Sequence, residues 1–210
     1  MSPAYFLTGT DTEIGKTFVT CALLHRARLD GLRAAGLKPV AAGTDAAGLN
    51  DDVEAIRGAS NVELPRNIVN PYCFAPAIAP HIAAADAGIA IEFEIIIAAC
   101  SQARRQADLV IIEGVGGFSV PLGGGRNTAD LAEALGLPVI FVVGMRLGCI
   151  NHALLTLRAV HEDGCRIFGW VANSIDPSLA RADEALAQLE QLDPRQARVV
   201  GPQSLQLVDE

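Results

Sequence analysis

The stretch Thr8-Gly-Thr-Asp-Thr-Glu-Ile-Gly-Lys-Thr17 decides how this chain is read. It follows a short apolar run, Ala4-Tyr5-Phe6-Leu7, and opens a periodic run through Phe18, Cys21, Leu24 and Arg28. A strand, a glycine-bearing loop and a helix in that order form a cradle for phosphate. Loop N–H groups, the helix N-terminus and the amine of Lys16 together hold a polyphosphate, and the Thr17 hydroxyl is placed to ligate magnesium. Five residues separate Gly9 from Gly15, where the common phosphate loop has four before Gly-Lys-Thr, and Thr10 stands at the usual first-glycine position.

Outward from this loop, further apolar runs predict buried parallel strands near residues 5–8, 35–38, 109–113, 139–143, 167–172 and 198–201. Helical patterns fall at 16–30, 51–58, 93–106, 151–162 and 179–192. This alternation predicts a doubly wound α/β fold: a mainly parallel sheet with helices on both faces, like that of P-loop NTPases. No repeat or linker divides the chain, so residues 1–210 read as one domain. Ligands of such sheets bind outside the carboxyl ends of the strands.

Half of the residues are hydrophobic, 19% are charged and the net charge is −8. Without a lysine- or arginine-rich run, nucleic-acid binding is not expected. Arg26, Arg28 and Arg33 read as a solvated helix face and the turn after it. Cys21, Cys73, Cys100, Cys149 and Cys165 are odd in number and widely spaced, which predicts free thiols in a reducing cytoplasm. The first strand begins almost at Met1, so no signal peptide is expected. The weakly charged stretch 68–85 carries Pro71, Pro76, Pro80 and His81, so no membrane span is expected either.

The segments after the strands hold the candidate chemistry. Lys38, at the end of strand two, is placed to stabilise charge on a transferring phosphoryl group, with Pro39 restricting its direction. Asn50-Asp51-Asp52 supplies a helix N-cap and a carboxylate within reach of a metal at Thr17. The strand Asp108-Leu-Val-Ile-Ile-Glu113 ends in an acid suited to magnesium, followed by Gly114, Val115, Gly116 and Gly117, where glycines admit a ligand close to the backbone. Strand four leads into Gly148, Cys149, Ile150 and Asn151, a helix N-terminus suited to a carboxylate or phosphate. Cys149 reads as a packing residue, and His152 as packing or a cap.

Taken together, these segments resemble dethiobiotin synthetase. The matching motifs are Thr8-Gly-Thr-Asp-Thr-Glu-Ile-Gly-Lys-Thr17, Lys38-Pro-Val-Ala41, Asn70-Pro-Tyr72, Pro80-His-Ile82, Glu113-Gly-Val-Gly-Gly117, Leu147-Gly-Cys-Ile-Asn-His152 and Gly169-Trp-Val-Ala-Asn173. The resemblance implies an ATP- and magnesium-dependent closure of a cyclic urea from 7,8-diaminononanoate and CO2 (or bicarbonate), in a cytoplasmic homodimer. Lys16 and Lys38 would be the catalytic cations. Glu13, Ile14, Gly15, Lys16, Thr17 and Phe18 would wrap the phosphates, with Asp52, Glu113, Gly114, Val115 and Gly116 beside them. Thr17, Asp52 and Glu113 would hold the metal. Asn173 and Ser174, with Pro202, Gln203 and Ser204, would meet the base. Thr12, Lys38, Ala42, Val115 and Gly116 would contact the diamine, whose carboxylate would meet Gly148, Cys149, Ile150 and Asn151 of the neighbouring subunit.

Two rivals share part of this pattern. Nucleotide-switch ATPases of the ParA and MinD kind carry a second lysine early in the loop, where this chain has Thr10-Asp11-Thr12. Amide-forming relatives need ammonia from a glutaminase, and no second domain is expected here. The chain also departs from the family it resembles. Its tail is short and lacks the usual Gly-x-x-Pro-aromatic signal, which bears on base selectivity. Ala42 stands where a serine is common, with Thr44 as the nearby hydroxyl. Restoring that serine adds one hydrogen bond, worth about 0.5–1.5 kcal/mol. Ala42→Ser is therefore expected to lower the KM for the diamine several-fold in steady-state assays, and an unchanged KM would refute this account of the position.

Overall fold

A computed structural model describes residues 2–192 and 197–200. The elements run β1 (Ala4–Gly9), α1 (Lys16–Leu29), β2 (Ala34–Leu37), β3 (Val40–Ala42), α2 (Asp51–Ala59), α3 (Arg66–Val69), β4 (Tyr72–Phe74), α4 (Pro80–Asp86), α5 (Phe93–Gln106), β5 (Leu109–Glu113), β6 (Pro121–Gly123), β7 (Arg126–Asn127), α6 (Thr128–Leu135), β8 (Val139–Gly144), α7 (Cys149–Glu162), β9 (Ile167–Asn173), α8 (Ala182–Leu192) and β10 (Ala197–Val200). Six strands form one parallel sheet in the order β10-β9-β8-β1-β5-β2. β3 and β4 make a short parallel pair, and β6 and β7 a hairpin.

Side chains alternate across a strand, and a sheet covered on both faces can be apolar throughout. On β1, Phe6 turns to one face, packing with Val110, Ile112 and Ile96 of α5. Leu7 turns to the other, joining Ile111, Ile14, Val19 and Leu24 of α1 and Ile56 of α2. Helices α5, α6 and α7 thus cover one face and α1 and α2 the other. Leu189 of α8 joins Phe141, Trp170 and Ala153 beside α7. The doubly wound arrangement is the predicted one.

The structure differs from the sequence reading in several places. The buried face of α1 is Val19, Thr20, Leu24 and Ala27. Phe18, assigned to the apolar stripe, is 53% exposed. It lies about 120° round the helix from Leu24 at 3.6 residues per turn. Helix α6 went unpredicted, although Asn127 and Asp130 close a capping box at its start. The last helix begins at Ala182, not residue 179, because Asp176 accepts bonds from the N–H and hydroxyl of Ser178 in a tight turn. Arg181 in that turn adopts φ 59°. Arg26 and Arg33 bond Asp30 and Asp108 at the surface, as expected of a solvated face. All five cysteines are free thiols. Among the described residues no helix is long and apolar enough to cross a membrane.

β1 leaves the sheet toward β2 on one side, and β8 lies on its other side, so a crevice opens at the carboxyl end of β1. Register puts Leu7 opposite Glu113 and Gly144 opposite Asn173, which brings the ends of β5 and β9 to that crevice. On β2, Gly36 lets α1 and α2 approach closely. A Cβ there would lie 2.4 Å from Ile56 Cγ2 and 2.8 Å from Leu24 Cδ1. Gly36→Ala is expected to lower stability by about 1–3 kcal/mol, read as an earlier midpoint in urea unfolding. An unshifted midpoint would mean that Ile56 and Leu24 can yield.

Candidate functional site

The loop after β1 turns into α1 through Gly15, which caps the helix at φ 83°. A side chain there is excluded twice over, by that left-handed conformation and because its Cβ would lie 2.1 Å from Asn173 Nδ2. Asn173, expected to read the base, donates its amide to the Ile14 carbonyl at 2.8 Å. It therefore braces the phosphate loop from the end of β9. On the other flank Arg146 bonds the Asp11 carboxylate. The Asp11 carbonyl accepts from Lys16 Nζ at 2.7 Å, and its second carboxylate oxygen accepts from Thr12 N–H at 2.8 Å. Sequence reasoning missed this Asp11–Arg146 pair, because 135 residues separate its members.

Burial, with the like charge of Lys38 behind it, lowers the Lys16 pKa to about 8, against the opposing pull of Glu113, Asp52 and Asp11. Lys38 is 4% exposed and Glu113 fully buried. Lys38 Nζ lies 2.6 Å from Glu113 Oε1 and 3.0 Å from Asp52 Oδ2. Burial pulls the Lys38 pKa down, but the two carboxylates outweigh it and hold the ammonium above its usual range. Burial likewise pushes the Asp52 carboxyl up, and Lys38 with Thr17 holds it below its usual range. The Glu113 oxygens are shared out among three donors. Oε1 accepts from Thr17 Oγ1 at 2.8 Å as well as from Lys38, and Oε2 accepts from Thr20 Oγ1 at 2.6 Å. Thr20 was not singled out from sequence. Its signal was its place three residues after Thr17, one turn along the same helix face.

Lys16, Thr17, Lys38 and Asp52 face a cleft of about 420 Å³, and Glu113 and Thr20 lie buried behind it. Thr12, Glu13, Gly15, Lys16 and Thr17 line it from the phosphate loop; Lys38, Ala41, Ala42, Asn50 and Asp52 from the segments after β2; and Val115 and Gly116 from the turn after β5. Asn50 is the N-cap of α2, accepting from Val53 N–H at 3.1 Å, and so delivers Asp52 to the cleft. Gly114 donates to the Leu7 carbonyl and fixes the end of β5 against β1. Ser174 follows Asn173 at the surface. Thr44, the expected substitute hydroxyl for Ala42, is not among the lining residues.

Gly148, Cys149, Ile150 and Asn151 do not line this cleft. Cys149 packs against Phe141, Val143 and Trp170, so its thiol is a core group, as the sequence suggested. Pro202, Gln203 and Ser204 lie outside the described residues. The oxygen donors Thr17 and Asp52 line the cleft and suit a hard cation such as magnesium, whereas the Glu113 carboxylate, expected beside them, is fully buried and accepts from Thr17, Lys38 and Thr20. Among the described residues no cluster of three His, Cys, Asp or Glu would hold a metal alone. A cation here would need a ligand's own oxygens, as magnesium bound with a polyphosphate has.

The sequence of residues 3–202 matches the family model described as an AAA domain. The chain is 59% identical over 189 residues to the ATP-dependent dethiobiotin synthetase of Aromatoleum aromaticum, covering 89% of this chain and 84% of the relative. It is 52% identical to the same enzyme of Nitrosospira multiformis, with 91% and 84% covered. The chain belongs to the ATP-dependent dethiobiotin synthetase family. Membership carries the enzyme class, an ATP-dependent ligase of biotin biosynthesis. Solved structures show how widely the family's fold is shared. A ParA family ATPase from Chlorobium tepidum superposes with TM-score 0.57 at 14% identity, over 94% of this chain and 82% of its own. The MinC:MinD cell division protein complex of Aquifex aeolicus contributes a chain at TM-score 0.52 and 13% identity, over 94% and 79%. At such identities the likeness concerns fold alone.

A polyphosphate beside Lys16 favours its charged form, so binding above pH about 8 should draw a proton from solvent. Calorimetry of ATP binding in buffers of different ionisation enthalpy is expected to show uptake well above that pH, fading below it. No uptake at high pH would contradict the lowered Lys16 pKa.

Proposed function

We propose that this cleft makes dethiobiotin from 7,8-diaminononanoate, CO2 and ATP. The observation that carries the reading is the pairing of two ammonium groups, Lys16 and Lys38, with the Thr17 and Asp52 oxygens at one cleft, and with the buried Glu113 carboxylate behind them. One amine of the diamine takes up CO2 as a carbamate and releases a proton. A carbamate oxygen attacks the γ-phosphorus of ATP, and ADP leaves. The second amine attacks the carbonyl carbon of the mixed carbamic–phosphoric anhydride, closes the urea ring and expels phosphate.

Both reactants of the phosphoryl step are anions, so fixed positive charge governs the barrier. Lys38 remains protonated between Glu113 and Asp52 and presents its charge without reorganising. Lys16 exchanges the Asp11 carbonyl for phosphate oxygens. Loop N–H groups after Glu13 and at the start of α1 hold the β- and γ-phosphates. Thr17, Asp52 and Glu113 would hold magnesium, which when bound neutralises charge on the triphosphate oxygens. Thr12, Lys38, Ala42, Val115 and Gly116 surround the carbamate end. Asn173 and Ser174 meet the adenine. The carboxylate tail of the diamine is received by Gly148, Cys149, Ile150 and Asn151 of a second copy, which makes the working unit a homodimer in the cytoplasm.

Phosphate release from magnesium–ATP with bicarbonate is expected only when the diamine is present, with mass spectrometry detecting the cyclic urea. Hydrolysis that ignores the diamine and yields no urea would point to a switch ATPase instead. Lys38→Met should lower turnover about 100- to 1000-fold, the scale for removing one preorganised charge-stabilising group.

A further inference from the structure

We infer that Thr20 is a positioning residue for the magnesium–ATP site, acting solely through Glu113. The inference rests on the proposed role of Glu113 at that site and adds a residue to it. Glu113 has no exposure to water, so each of its oxygens needs a partner inside the protein. Thr17 and Lys38 both engage Oε1. Oε2 is engaged by Thr20 alone among the described residues, at 2.6 Å and fully buried. The terminal torsion of a glutamate has a broad well, so two partners on one oxygen leave the carboxylate plane poorly fixed. The third contact, on the opposite oxygen, fixes it.

The fixed plane decides what Thr17 offers the cleft. With Oε2 turned away into the hydroxyl of Thr20, Oε1 is the oxygen that faces Thr17 and Lys38. The Thr17 hydroxyl, which also lies beside Asp52, donates to Oε1 at 2.8 Å, and its lone pairs remain for a cation. Thr20 is fully buried with its hydroxyl on Oε2, and so touches neither nucleotide nor metal in this reading. Thr17 and Thr20 stand one helical turn apart on α1, so a single rigid helix presents both hydroxyls to one carboxylate.

The test is equilibrium binding of a non-hydrolysable ATP analogue, with magnesium and with chelator, to Thr20→Val, Thr20→Ser, Glu113→Gln and the Thr20→Val/Glu113→Gln double variant. A hydrogen bond to a charged group sets the scale. Thr20→Val should weaken magnesium-dependent binding about tenfold or more and change chelator binding less than about twofold. Thr20→Ser should restore it, and Thr20→Val should add nothing in the Glu113→Gln background. If Glu113→Gln weakens binding but Thr20→Val does not, or if the two losses add, the inference is wrong. If Glu113→Gln itself binds like the parent, the site reading fails first and Thr20 with it. Should Thr20→Val not fold, Thr20→Cys, a weaker donor of similar size, takes its place with the same expectation.

Discussion

A carboxylate sealed from water organises this candidate site. Glu113 sits at the end of a central strand with no exposed surface, and the structure around it supplies one ammonium and two hydroxyls. Burying charge this way is a poor route to stability, because desolvation offsets much of the attraction. Its consequence is geometric. Helix α1 must approach β5 so that Thr17 and Thr20 both reach the carboxylate. The segment after β2 must bring Lys38 from the far side of β5. The phosphate loop, the second lysine and Asp52 are then fixed relative to one another before any ligand arrives, which is the condition for electrostatic preorganisation.

The phosphate loop is braced from two strands that the Glu113 cluster does not touch. Asn173 holds the Ile14 carbonyl from β9, and Arg146 holds Asp11 from beyond β8. Asp11 in turn keeps Lys16 folded against the loop. An acid so near a phosphate site would repel the ligand if left unpaired, and Arg146 offsets it. These contacts join the carboxyl ends of strands that are adjacent in the sheet or, for Asn173 and Ile14, one strand apart, so sheet order is what makes the site possible. The ParA family ATPase of similar fold shows that the scaffold is general. The chemistry depends on which side chains stand at the strand ends.

Much of this was legible in the chain alone, for identifiable reasons. The ten residues from Thr8 to Thr17 carry their own local signal, because a phosphate loop is built from consecutive backbone. Apolar runs of strand length between helical patterns gave the sheet, and the acid ending Asp108-Leu-Val-Ile-Ile-Glu113 gave the crevice. Close matches to the synthetase motifs gave the family. Local patterns failed where tertiary packing competed with them. Phe18 looked apolar and buried but points away from the sheet, and α6 was hidden because its eight residues are too few for periodicity to stand out.

By itself the sequence determined the fold class, the phosphate loop and the residue types at the strand ends, because each is encoded in contiguous residues or in a period. Tertiary structure alone decided the partners: that Asp52 meets Lys38, that Thr20 completes Glu113, that Asn173 braces Ile14 and that Arg146 answers Asp11. Those contacts join residues from 14 to 159 positions apart. No spacing rule reaches so far, because strand order and register, not chain distance, bring such groups within hydrogen-bond length.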